Sequence, residues 1–141
     1  MIADTLIRDH RDCDAHYARA ESAAGQGDAE QARQAHAAFA AALERHMSAE
    51  EEVLFPAFEE MTGMEDGPTA VMRMEHDQMR SLLAQMSEAL DGGDLDGYLD
   101  GGETLNVLVQ QHNMKEENML YPMCEQALGD QADELIARMQ P

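Results

Sequence analysis

The sequence of 141 residues has no tryptophan, and aromatic residues make up only 4% of it. A core with so few aromatic rings must be mainly aliphatic and rich in sulfur, and 12 methionines supply flexible side chains that fill gaps between helices. The two cysteines, Cys13 and Cys124, are too few for a disulfide-rich scaffold. No apolar signal segment precedes them, so we expect free, packed thiols in a cytoplasmic protein.

Long hydrophobic runs and positive charge are also scarce. No apolar stretch approaches the roughly 20 residues that a membrane-spanning helix needs. The chain has 9 Lys and Arg residues against 29 Asp and Glu, which gives a formal net charge of −20. Nucleic acids and anionic membrane surfaces repel such a chain, so we expect neither as a partner.

The residues that are abundant predict a single all-α domain. Hydrophobic residues make up 44% of the chain and charged residues 27%, which is typical of a folded protein. The length is that of one domain, so we assign residues 1–141 to a single unit. Ala, Glu, Gln, Met and Leu favour helix, and β-branched residues are few.

An internal duplication is the most informative pattern. The stretch HMSAEEEVLFP at 46–56 returns 66 residues later as HNMKEENMLYP at 112–122. The same shift relates many other positions, so we divide the chain into repeat one, about 1–66, and repeat two, about 67–132. The pairs include His10 and His76, Asp28 and Asp94, His46 and His112, Glu50 and Glu116, and Pro56 and Pro122.

Each repeat has the pattern of a helical hairpin. The glycine-containing stretches AAGQGDAE and LDGGDLDG interrupt the helical periodicity, and Asp28 and Asp94 are placed to cap the helices that follow. Two hairpins predict an antiparallel four-helix bundle, and Pro56 and Pro122 are expected to end or kink its second and fourth helices. We predict helices at 3–24, 28–54, 68–90 and 95–120, a linker MTGMEDGPTA, and a short closing helix within DQADELIARM.

The spacing of the histidines places them together. His10 and His46 are equally far from Asp28, so they lie at the same height in an antiparallel hairpin, and the second hairpin repeats the arrangement. Residues four apart on a helix share a face, which groups each HxxxE pair. Glu51 and Glu117 turn about 140° from those histidines and are expected to point elsewhere.

Apolar neighbours indicate that this shared face is inside the bundle. A lone inward histidine is more often a hydrogen-bonded core residue than a ligand, but two HxxxE pairs in register favour a metal site. The candidate ligands are His10, His46, Glu50, His76, His112 and Glu116. Four imidazoles and two carboxylates suit two metal ions, and donors without thiolate favour iron, although zinc and manganese stay open. His16 and His36 lack histidine counterparts, so we predict that they lie on the surface.

These residues resemble the hemerythrin-like family, the HHE cation-binding domains. The order His, HxxxE, His, HxxxE and the stretch at 46–56 are similar to that family's signature. The resemblance implies a non-haem di-iron centre in a four-helix bundle, and we expect an oxo or hydroxo bridge between the two iron ions. Activities in the family include binding or sensing of dioxygen, reaction with nitric oxide or peroxide, and repair of iron-sulfur clusters.

Two departures narrow the expected function. Oxygen carriers of the family have a further histidine one turn from the third-helix ligand, where this chain has Met72 or Arg80. They also use an Asp five residues after the last histidine, where this chain has Glu117. The set of four His and two Glu is similar instead to iron-sulfur repair proteins and to bacterial hemerythrin-like proteins linked to peroxide and nitric oxide.

The preferred hypothesis is a di-iron protein that binds or reacts with dioxygen, peroxide or nitric oxide in a stress response or in sensing, with an unknown electron donor. Whether it is an enzyme that consumes peroxide or nitric oxide stays open. Tyr17, two turns after His10, is a candidate catalytic phenol beside the metal ions, or a tyrosine that only packs. The alternatives are iron handling or donation for cluster repair, and a purely structural or zinc-stapled bundle.

Overall fold

The computed structural model describes residues 1–140 and has an all-α architecture in that part of the chain. Its helices are α1 (Ile2–Gly25), α2 (Ala29–Ala49), α3 (Phe55–Thr62), α4 (Pro68–Asp91), α5 (Leu95–Lys115), α6 (Tyr121–Leu128) and α7 (Ala132–Met139). Helices α1 and α2 form one hairpin and α4 and α5 the other, which confirms the predicted bundle of two hairpins. The short helix α7 packs against α1 near the end of α2.

The two hairpin turns have the same geometry. Gly27 and Gly93 adopt positive φ angles of 78° and 73°, which side chains other than glycine rarely allow. The carboxylate of Asp28 accepts a hydrogen bond of 3.1 Å from the backbone N–H of Gln31, and Asp94 accepts one of 2.9 Å from Gly97. Both predicted caps are therefore confirmed.

Helices α2 and α5 each run into a π-helical turn, Glu50–Leu54 and Glu116–Leu120. In these wider turns a backbone N–H bonds to a carbonyl five residues back, as Phe55 does to Glu50 and Tyr121 to Glu116. Each π-helical turn thus begins at the glutamate of an HxxxE pair. It changes which side chains share the inner face of the helix.

The two prolines do not end the helical chain. Pro56 and Pro122 lie in the first turns of α3 and α6, where a proline costs little because its missing N–H has no partner there anyway. The predicted ends at 54 and 120 are therefore wrong, and the chain stays helical to Thr62 and Leu128. The π-helical turns that interrupt the α-helical pattern do end at the predicted positions, Leu54 and Leu120.

The apolar core is divided into two clusters by a layer of polar side chains. One cluster, toward the hairpin turns, includes Cys13, Phe39 and Leu105. The other, toward α3, α6 and α7, includes Phe55 and Cys124, so both cysteines pack as predicted. Among the described residues, no helix is both long and apolar enough to cross a membrane.

The prediction for His36 is wrong. Its side chain is buried with 4% exposure, whereas His16 is only half-buried. Nδ1 of His36 lies 3.0 Å from the hydroxyl of Tyr98, and Nε2 lies 3.0 Å from Oγ of Ser87. Because these two hydroxyls satisfy both ring nitrogens, the imidazole can be buried without a charge. Burial lowers its pKa below the usual value.

Candidate metal centre

The polar layer contains all six predicted ligands, brought together from four helices. The four histidines lie on α1, α2, α4 and α5, and the two glutamates are the first residues of the π-helical turns. Each side chain is at most 5% exposed. The six residues are His10, His46, Glu50, His76, His112 and Glu116.

The ligand atoms form two groups that meet at Glu116. Nε2 of His10 lies 3.1 Å from Nε2 of His46, and Oε1 of Glu116 lies 3.1 Å from Nε2 of His10. On the other side, Nε2 of His76 lies 3.2 Å from Oε1 of Glu50. One group of potential ligands is His10, His46 and Glu116, and the other is Glu50, His76, His112 and Glu116. This arrangement can hold two cations that share a carboxylate.

Each ligand histidine also contacts an outer carboxylate, which is not one of the two inner glutamates, through its Nδ1 atom. Within the hairpins, His46 meets Asp9 at 3.3 Å and His112 meets Glu75 at 2.7 Å. Between the hairpins, the Nδ1 distances are 2.8 Å for His10 to Glu117 and 2.6 Å for His76 to Glu51. Such outer carboxylates orient metal-binding imidazoles and make them better donors.

The sequence interpretation missed this role of the outer carboxylates. Glu51 and Glu117 do point away from the histidine of their own helix, as predicted, but each reaches a histidine of the other hairpin. Asp9 and Glu75 are repeat partners, as are Glu51 and Glu117. The available signal was an acidic residue next to four of the six ligands, namely His10, Glu50, His76 and Glu116, repeated at the same shift.

The protonation pattern of the cluster suits bound cations. A carboxylate at Nδ1 makes that nitrogen the proton donor, which leaves Nε2 of a neutral imidazole with a free lone pair. Those lone pairs face each other and the two inner carboxylates. Nε2 of His76, Nε2 of His112, Oε1 of Glu50 and Oε2 of Glu116 are buried without a hydrogen-bond partner. Such unsatisfied atoms are costly in a protein interior, and coordinated metal would satisfy them.

Without a cation, the groups compete for protons. Burial alone would lower the pKa of His46, but Glu50, Asp9 and Glu116 outweigh it and raise that pKa well above its usual value. Burial and the charge of Glu116 raise the pKa of Glu50. Burial would also raise the pKa of Glu116, but hydrogen bonds from Glu50 and three of the histidines hold it well below its usual value. Protons and metal ions therefore compete for the same atoms.

Tyr121 also belongs to the cluster, and the sequence interpretation missed it. Its buried hydroxyl donates a hydrogen bond of 2.6 Å to Oε2 of Glu50 and lies 3.0 Å from Oε1 of Glu116. The hydroxyl also lies 3.1 Å from Nε2 of His10. Burial and the charges of Glu50 and Glu116 raise the pKa of Tyr121 well above its usual value, so the phenol keeps its proton.

The π-helical turn explains why Tyr121 was missed. Five residues along a regular α-helix correspond to about 140°, which would point Tyr121 away from Glu116. The wider turn brings position 121 back to the inner face. Its repeat partner Phe55 stacks on the ring of His76 with 5.8 Å between centroids and offers no hydroxyl. The cluster therefore has a phenol beside His10 and none beside His76.

Tyr17, the phenol predicted beside the metal ions, has different neighbours. Its hydroxyl donates to Oε2 of Glu21 at 3.2 Å, and its ring packs on Phe39 and beside Gly102. These contacts lie on the hairpin-turn side of the cluster. A catalytic role for Tyr17 stays a prediction.

Comparison with known families identifies the domain. The model of the Hemerythrin HHE cation binding domain matches residues 1–124, which include all six inner residues and Tyr121. Searches of curated proteins and of solved structures return no significant match. The buried His and Glu groups fit the cation binding for which the family is named. The chain therefore belongs to the hemerythrin family of HHE cation-binding domains.

Proposed function

We propose that the chain holds two iron ions and that the reduced pair binds or reacts with a small oxidant, namely dioxygen, peroxide or nitric oxide. The observation that carries the proposal is the meeting of two buried ligand groups at Glu116. Imidazole and carboxylate donors without thiolate suit iron, and both cysteines lie outside the two groups. Stress response or sensing is the expected setting.

Iron ions bound here would supply a redox pair and positions at which a small molecule can bind. The chain's own residues determine how accessible and how polar these binding positions are. Four outer carboxylates hold the histidines in orientation, and Tyr121 places a hydroxyl beside His10 and Glu50. Apolar residues such as Leu54 and Leu120, which are at most 1% exposed, limit access of water from the side that faces α3, α6 and α7.

Iron content per chain is the first test. Elemental mass spectrometry on protein from iron-replete cells should find near two irons per folded chain. The double variant His46→Leu, His112→Leu removes one histidine from each group and should abolish stoichiometric binding while circular dichroism stays helical. Reaction of the reduced protein with peroxide and with nitric oxide, followed by stopped flow, then identifies the oxidant. Folded wild-type protein with little or no metal would refute the proposal.

A second candidate function is iron handling, with donation of the metal to a partner rather than turnover. The three-residue group at His10 and His46 favours it, because fewer ligands hold an ion less tightly than four. A mild chelator distinguishes the two functions. A donor should release iron readily, whereas a catalyst should retain both ions through many cycles of oxidation and reduction.

A further inference from the structure

Two cations of the second hairpin, Arg80 and Lys115, contact the outer carboxylates that hold the histidines of α4 and α5. Nη1 and Nη2 of Arg80 each donate a hydrogen bond of 3.0 Å to Glu51, one to each carboxylate oxygen. Nζ of Lys115 donates one of 2.5 Å to Oε2 of Glu75. Each cation is therefore separated from a candidate ligand by a single carboxylate.

The outer carboxylates that hold the histidines of α1 and α2 have no such contact. Within residues 1–140, Asp9 and Glu117 form ion pairs with their histidines and with no lysine or arginine. The repeat positions of the two cations are occupied by Asp14 and Ala49. Asp14 accepts a hydrogen bond of 2.9 Å from the side chain of Gln110. The two halves of the centre are thus alike in their histidines and differ in what contacts the outer carboxylates.

The guanidinium of Arg80 is held against Glu51 by two further acids. It bonds to Glu44 at 3.0 and 3.2 Å and to Asp77 at 3.3 Å. The side chains of Glu44 and Asp77 are 50% and 80% exposed, so water screens their charges. Arg80 and Glu51 are only 30% and 21% exposed, so their contact is the less screened one. The exposed acids therefore act mainly as anchors for the guanidinium.

A cation bonded to an outer carboxylate weakens the effect of that carboxylate on its histidine. A carboxylate that accepts the Nδ1 hydrogen of an imidazole makes Nε2 a stronger donor to a metal. The same oxygen of Glu51, Oε2, accepts from both His76 and Arg80, so part of its negative charge is taken up by the guanidinium. Weaker donors and nearby positive charge favour the ferrous form of a bound ion over the ferric form, because the ferrous form has the lower charge.

Resting on the proposed function, we infer that Arg80 and Lys115 raise the reduction potential of the iron ion held by the histidines of α4 and α5, so that this ion accepts the first electron. The step adds one electron from an external one-electron donor and breaks no bond. The hydrogen bonds of both cations go to carboxylates outside the ligand set. Both are therefore positioning residues, which act on the ion through Glu51 and Glu75.

A redox titration of the iron-loaded protein, followed by its visible absorption, provides the test. At the potential where oxidised and half-reduced wild-type protein are equal, Arg80→Met and Lys115→Met should each lower the ratio of half-reduced to oxidised protein about tenfold. Arg80→Lys keeps the charge and should recover most of that ratio. Arg33→Met removes the same charge beside Glu30, near the hairpin turns, and should leave the ratio within about twofold.

A mirror variant adds a cation to the other half of the centre. Ala49→Lys places an ammonium at the repeat position of Lys115, on the helix of His46 and near its outer partner Asp9. It should raise the potential at which the second electron enters, so the half-reduced protein becomes fully reduced more readily. The Arg80 and Lys115 variants act mainly on the first electron, which distinguishes the two ions.

Iron content and circular dichroism of each variant separate the possible outcomes. Methionine variants that retain the wild-type iron content and the wild-type ratio would overturn the inference and leave the di-iron proposal standing. Loss of iron from both methionine variants, with the helices intact, would show that Arg80 and Lys115 hold the ligands in place rather than set the potential, which also overturns it. A folded wild-type chain without iron would refute the proposed function first.

Discussion

At the scale of single residues, the two nitrogens of each ligand histidine have separate tasks. The outer Nδ1 meets a carboxylate, and the inner Nε2 faces the cluster, so one hydrogen bond decides which nitrogen is available to a metal. Tyr121 adds a proton donor that keeps its hydrogen at neutral pH, because burial and two carboxylates oppose its ionisation.

Replacing Tyr121 by Phe tests its contact with the cluster. The change removes the hydrogen bond to Oε2 of Glu50 and should lower the free energy of unfolding by about 1–3 kcal/mol, since a buried acceptor loses its partner. It should also shift the visible absorption of the iron-loaded protein. Tyr17→Phe is the control, because its hydroxyl bonds to Glu21. A spectral change in the control alone would support Tyr17 as the phenol beside the metal.

His36 gives the stability of the fold a pH dependence. Burial lowers its pKa, so below about pH 6.5 the unfolded chain takes up a proton that the folded chain resists. The free energy of unfolding should therefore fall as the pH drops below that value, by at most about 1.4 kcal/mol per pH unit from this group. Urea unfolding at pH 7.5, 6.5 and 5.5 measures it.

His36→Gln should remove that part of the pH dependence, so the stability difference between wild type and variant shrinks as the pH falls. Both proteins are compared in the same metal state, because metal loss has its own pH dependence. His16→Gln changes a half-buried histidine beside Arg19 and should leave the wild-type slope in place. An unchanged slope in His36→Gln would show that the imidazole takes up its proton over the same pH range in the folded and the unfolded chain.

The residues that sequence patterns could place are those governed by regular helical spacing. The six inner residues follow from the repeat and from the four-residue spacing of His and Glu. Tyr121 could not be placed, because its position depends on a π-helical turn that changes the angle between residues five apart. His36 could not be placed either, since its burial depends on Tyr98 and Ser87 on other helices.

At the scale of helices, the close approach of α1 and α5 depends on one glycine. A Cβ at Gly102 would lie 2.5 Å from the hydroxyl oxygen and 3.1 Å from Cε1 of Tyr17. Gly102→Ala should therefore lower the free energy of unfolding by about 1–3 kcal/mol, because the buried ring must shift. Thermal or urea unfolding measures the change.

Gly101→Ala is the matched control on the same helix. Its Cβ would meet Cγ of Met86 at 3.1 Å, and a flexible methionine can move aside. Alanine in place of glycine stabilises a helix by about 0.5–1 kcal/mol, which should nearly offset the cost of moving Met86. The free energy of unfolding should therefore change little. In a Tyr17→Leu background, Gly102→Ala should hardly change the free energy of unfolding. An equally large loss of stability in that background would show that Tyr17 is not the residue that the added Cβ meets.

At the scale of the whole molecule, the metal centre joins the two apolar clusters. Each is well packed, but the layer between them has six ionisable groups at most 5% exposed. Bound metal would compensate for their burial, so its release should weaken the bundle as a unit. The predicted pairing of the four long helices was correct because it depends on amphipathic periodicity and turn residues. Helices α3 and α6 escaped prediction because proline normally ends a helix.

Acid should release the metal and destabilise the fold in one step. As the pH falls, protons occupy the nitrogens that would hold the ions, so iron retained after gel filtration should drop between about pH 6 and pH 4. The melting temperature should fall with it and return when iron is restored at pH 7. Iron fully retained at pH 4 would contradict the assignment of the four histidines as ligands.

The pairing of each outer carboxylate with a histidine of its own or the other hairpin also bears on the origin of the chain. Each hairpin contains two inner histidines and one inner glutamate, which is half of the centre. The outer glutamate of each hairpin, Glu51 or Glu117, contacts a histidine of the other hairpin. Two copies of an ancestral hairpin could thus have assembled the whole centre as a homodimer. Fusion of the two copies would then have allowed each to diverge, as they have at Tyr121, which bonds to Glu50, and at its repeat partner Phe55, which stacks on His76.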